Sequence, residues 1–184
     1  NQWATYHHSL AENHVLFLNL TDASTNAGVD KYFDDSTFSN TVFGVGDDIY
    51  GPNVNGTTMV AYCFHSVDGF SKFGSYEGNG TTEGPMVETG FEPAFIIIKD
   101  VDGVDNWAMV DNKRATTNPR QTWLRANLTN AEFSNTVDSI NFYSNGFQIA
   151  GGTSVSNFLN ESGNTFIYMA FAADPDTEAP TVAK

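Results

Sequence analysis

Apolar residues along this chain fall in short runs separated by clusters of Gly, Asn, Asp, Ser and Thr. No long window places them at i, i+3, i+4 and i+7, so little helix is expected. The runs predict strands at residues 3–6, 15–20, 37–45, 57–67, 95–98, 107–110, 122–128, 139–143, 146–150 and 164–172. Runs 57–67 and 164–172 are apolar on both faces, which reads as central strands, and Phe43 is expected to point inward. The run Phe95-Ile96-Ile97-Ile98, bounded by Pro93 and a turn at 100–103, also reads as a strand covered on both sides. Ser144-Asn145 predicts a hairpin turn, and Gly78-Asn79-Gly80-Thr81-Thr82 a hairpin-type reversal.

Strands of this number and length predict an all-β fold, a two-sheet antiparallel β-sandwich of jelly-roll or lectin-like type. One sandwich domain is expected over residues 1–174, with 175–184, rich in Pro, Asp and Thr, as a linker or tail. The pattern restarts near 105. Trp3-Ala4 answers Trp107-Ala108, and the stretch 56–64 answers 163–171. Halves at about 3–68 and 105–173, bridged by 69–100, would follow from an internal duplication. Shared strand composition explains the same likeness without one.

Composition narrows the function classes. Hydrophobic content of 40% is ample for a core, and 15 Phe with 16 Gly favours strands and turns over helices. The formal charge of −14 argues against nucleic-acid partners, which need a basic footprint, and against docking on an anionic membrane. No apolar run approaches the ~20 residues of a membrane helix. The lone cysteine, Cys63, has no internal partner and reads as a small buried hydrophobe. Beginning at Asn1, the chain reads as a piece of something longer.

Candidate chemistry is sparse. In Asp100-Val101-Asp102-Gly103-Val104-Asp105, carboxylates alternate around a glycine bend, an oxygen-rich pattern that suits calcium. Asp100, Asp102 and Asp105 are the candidate ligands; a solvated β-turn explains the same residues, and no other cofactor is indicated. His7, His8, His14 and Glu12 lack metal-site spacing and read as a surface loop. No nucleophile elbow, phosphate loop, dinucleotide fingerprint or zinc pattern occurs, so no catalytic residue is named. A glycosidase carboxylate pair remains the enzymatic alternative. Tyr50, in a loop beside Gly51 and Pro52, and Trp107 are the candidates for stacking on a sugar ring; for Trp107 a core plug is the favoured reading.

The phrase GFSKFGSYEGNG at 69–80, the segment GFEPAFIIIK at 90–99, then Trp107, Asp111, Arg114 and the apolar strand at 165–171 carry a resemblance. Over about residues 3–175 the chain resembles a domain of bacteriophage tail fibres and other virion proteins, notably marine ones. The resemblance implies a non-enzymatic virion component exposed outside the host cell, a homo-oligomer (trimeric, as fibres commonly are), with other virion subunits as partners. It also implies attachment to a host-surface glycan or protein, for which the loops at 21–35, 47–56 and 153–162 are the candidates. A capsid decoration or assembly protein without a ligand, and a polysaccharide-degrading enzyme, are the alternatives.

Overall fold

The structure is a computed structural model that describes residues 2–29, 31–46, 51–134, 137–151 and 158–173. Its two longest strands, β6 (Pro93–Asp100) and β12 (Thr165–Ala172), lie antiparallel and side by side. Successive side chains of a strand point to opposite faces. On one face Ile96, Ile98, Phe166 and Ala170 are almost wholly removed from water. Ile97, Lys99 and Ile167 project from the other. Both faces are covered, as the β-branched run of β6 requires.

Around this pair a six-stranded sheet forms in the order β4-β12-β6-β7-β8-β9, adding β4 (Ser71–Glu77), β7 (Ala108–Asp111), β8 (Thr122–Arg125) and β9 (Phe133–Ser134). A three-stranded antiparallel sheet lies over its inner face in the order β10-β11-β5: β5 (Glu83–Glu88), β10 (Asp138–Tyr143) and β11 (Gly146–Gly151). Phe147 on β11 meets Tyr168 on β12 edge-on at 5.3 Å, and Ile140, Phe142 and Ile149 complete that layer of the core. The architecture is an all-β sandwich. Each such buried side chain contributes roughly 1.5–3 kcal/mol.

A third layer comes from the N-terminal segment. There β1 (Ala4–Thr5), β2 (His14–Phe17) and β3 (Thr25–Asn26) form a small antiparallel sheet. Leu16 of β2 packs with Val101, Trp107 and Ile167 in a second buried cluster that Ile97 adjoins. The outward residues of β6 and β12 are therefore core as well.

The reversal at 78–82 is not a hairpin within one sheet: it carries the chain from β4 in the large sheet to β5 in the small one. Asn160, 1% exposed, holds it. Its side-chain amide donates to Asn79 Oδ1 (2.9 Å) and to the Thr81 carbonyl (2.8 Å), and its own Oδ1 accepts from Asn79 N–H (2.8 Å). Gly78 sits so close to this strut that a Cβ would come within 2.1 Å of the Glu161 carbonyl oxygen.

Three expectations are corrected. Residues 57–67 form no strand, and Met59, Val60, Tyr62 and Phe64 are 51–70% exposed. Strand propensity measures fit to a pleated, half-buried surface, and beyond the single bridge Val67↔Ser71 no strand pairs with this stretch among the described residues. Cys63, within that stretch, is accordingly exposed rather than buried. Residues 37–45 are also not a strand: a short 3-10 turn, Asp35–Thr37, and the single bridge Phe33↔Val45 replace it, leaving Phe43 exposed. The side-chain oxygens of Asp34 and Ser39 accept nearby backbone N–H groups (Ser36 on Asp34; Thr41 and Val42 on Ser39) in place of a strand ladder, as is common for Asp and Ser. Strand 165–172 and the hairpin closed by Ser144-Asn145 stand as expected.

Candidate functional site

The acidic turn after β6 is built around a buried lysine. Lys99 lies on the outward face of β6 with no exposed surface, and its ammonium donates to the carbonyls of Asp100 and Gly103 (3.1 Å for the latter). Burial pushes its pKa down, while Asp100, Asp105 and Asp22 pull it back up. Asp100, 2% exposed, accepts the N–H groups of Asp102 and Gly103 on Oδ1, both at 2.8 Å, and the Asn164 amide on Oδ2 at 2.9 Å. Asp102 Oδ2 accepts Thr165 N–H at 2.7 Å. The carboxyl of Asp105 is pushed up by burial and by the neighbouring charge of Asp100. The turn thus has its own cation, a lysine ammonium, and spends two of its carboxylates on N–H donors. Among the described residues no group of three or more His, Cys, Asp or Glu is placed to hold a metal ion.

Trp107 is 5% exposed and lies in the cluster between the N-terminal layer and the large sheet. Its indole N–H donates to the Phe17 carbonyl at 3.1 Å, and its backbone N–H to Asn127 Oδ1 at 3.0 Å. The ring is a core plug that fastens β2 to β7, so it has no face to offer a ligand. Tyr50 lies outside the described residues. His7 is buried rather than on a surface loop; its ring stacks on His8 at 4.6 Å, and its Nδ1 accepts Ser9 N–H.

What the surface does present is aromatic. Trp3 and Tyr62 are 52% and 69% exposed, with ring planes 14° apart and centroids 6.4 Å apart. Trp3 is placed by its backbone, whose N–H donates to Asn19 Oδ1 and whose carbonyl accepts Leu18 N–H. Next along the chain Phe64 lies over the outer face of the large sheet, 6.2 Å from Phe73 and 6.0 Å from Phe171. Phe70 and Phe95 flank Phe171. Trp3, Tyr62, Phe64 and Phe70 make an uncommonly apolar surface for a chain of charge −14.

Residues 1–175 match the family model described as Domain of unknown function (DUF7483). The chain belongs to that family. No curated protein and no solved structure matches it. For this DUF7483 member the exposed pair Trp3 and Tyr62 was not singled out by sequence reasoning. The available signal was the aromatic content of residues 3–6 and 57–64, where Trp3 stands close to Tyr6 in sequence and Tyr62 close to Phe64.

Proposed function

We propose that this domain is a non-enzymatic structural module of a bacteriophage tail fibre or related virion appendage, exposed outside the host cell, which attaches to a surface glycan through Trp3 and Tyr62. The virion setting rests on the resemblance carried by residues 69–80 and 90–99. The single observation that supports attachment is the pair of half-exposed, nearly parallel rings. An aromatic face can cover the apolar C–H side of a sugar ring while polar neighbours engage its hydroxyls. The side chain of Asn19 lies beside the pair, on the backbone of Trp3.

The test is a titration of the purified domain with capsular or lipopolysaccharide glycans of candidate hosts, followed by tryptophan fluorescence. Trp107 and Trp123 are buried, so a saturable change lost in Trp3→Ala would report on this pair. No response to any host glycan would count against attachment here. A second reading, assembly against another virion subunit, is favoured by the bare apolar stretch 57–64.

A further inference from the structure

Each molecule holds both halves of a strand pair and leaves them apart. One half is the segment 58–64, Thr-Met-Val-Ala-Tyr-Cys-Phe, for whose backbone N–H and C=O groups no hydrogen bond is found among the described residues. The other is the outer edge of β4. Ser71 exchanges both backbone bonds with Val67 on that side, and Phe73 N–H is taken there by Ser66 Oγ at 3.0 Å. Gly78 N–H, in contrast, reaches Asn164 on the side of β12. Backbone direction alternates along an antiparallel strand, so Ser75 and Glu77 also point outward, and among the described residues no backbone partner is found for them there. β4 is the terminal strand of the large sheet.

The Val67↔Ser71 bridge begins a hairpin that would lay 58–66 along its own β4. It stops because Phe64 is anchored elsewhere, on Phe73 and Phe171 at the outer face. In a completed hairpin Phe64 would fall opposite Gly74, whose position points inward, so the anchor and the hairpin exclude each other. A second copy can fill the β4 edge while each Phe64 keeps its place.

Charge favours the same partner. The chain carries −14, yet residues 51–67 contain no Asp, Glu, Lys or Arg. Two copies can approach there with least repulsion. We propose that residues 58–64 add as a strand to the free β4 edge of a second copy of this chain, and that reciprocal exchange closes a homo-oligomer. The pairing uses backbone, so Tyr62 can keep its ring beside Trp3. The inference does not rest on the attachment reading.

The experiment is sedimentation of the intact chain over a wide concentration range in high salt, where screening lowers the repulsion between copies. The N–H of Ser75 points off the sheet, so Ser75→Pro blocks the edge while sparing the β4–β12 ladder. The expected result is a concentration-dependent oligomer, with amides 58–64 gaining protection from hydrogen exchange as it forms, and at least a tenfold loss of association in Ser75→Pro. A monomer at every concentration would overturn the proposal, as would an oligomer indifferent to Ser75→Pro. Protection of 58–64 that does not depend on concentration would overturn it too, since it would mean closure on the molecule's own β4. If Ser75→Pro fails to fold, the exchange pattern of the unaltered chain decides.

Discussion

Lys99 shows how a residue reads differently in sequence and in space. In sequence the three aspartates that follow it stand out and Lys99 itself does not, yet its ammonium is inside the turn, held by two carbonyls with Asp100, Asp105 and Asp22 nearby. Lys99→Met should leave those carbonyls without a donor and the acidic cluster without its counter-charge, lowering stability by about 1–3 kcal/mol. A chemical denaturation midpoint unchanged from the parent chain would contradict that role. His7 was equally illegible, because nothing local says that a loop histidine is covered by another layer. Burial, with a smaller push from His8, lowers its pKa from 6.5 to about 4. The unfolded chain therefore binds a proton that the folded one refuses. Stability from this group is complete above pH 6.5 and is lost as pH falls toward 4. The fall in melting temperature from pH 7 to 4 should be smaller in His7→Gln than in the parent. Equal slopes would argue against a neutral buried His7.

At the scale of elements, legibility followed whether a strand's neighbours lie close in sequence or are implied by its own pattern. The β10–β11 hairpin and the double-sided strands β6 and β12 were readable, since turn chemistry and continuous apolar runs are local signals. Residues 57–64 were not, because an identical pattern is compatible with a strand that lacks a partner. The stretch 163–171, with which 56–64 shares its pattern, contains most of β12, so equal composition gave unequal structure. The 78–82 reversal was located correctly, but its destination depends on Asn160, far along the chain. Asn160→Ala should cost about 1–3 kcal/mol by leaving Asn79 N–H and the Thr81 carbonyl unpaired. It should also raise hydrogen exchange at 78–82 before it affects β6. Ile167, 3% exposed beneath the N-terminal layer, gives a harsher test. Ile167→Asp should destabilise by about 3–5 kcal/mol as an uncompensated buried charge, and more than Ile97→Asp, whose site is only partly buried. A melting temperature unchanged in Ile167→Asp would refute the third layer.

For the whole molecule, charge and surface pull in different directions. Fourteen unbalanced negative charges repel one another, so the melting temperature should climb as salt rises toward about 1 M, where the screening length shrinks to roughly 3 Å. A flat salt dependence would show that the acidic groups are too dispersed to matter. Against that acidic background the exposed rings of Trp3 and Tyr62 are the surface through which we propose attachment. Of the two stacking candidates named from sequence, Trp107 is core, the reading favoured for it, and Tyr50 lies outside the described residues; the exposed pair was not legible because exposure is a property of the fold and not of the residue. The most direct measurement is adsorption of the purified, fluorescently labelled domain to intact candidate host cells, with and without a calcium chelator, beside the Trp3→Ala/Tyr62→Ala variant. Saturable adsorption that falls at least tenfold in the folded variant is the predicted result. Adsorption equal in both proteins, or absent from every host while the domain remains folded, would contradict attachment through this surface.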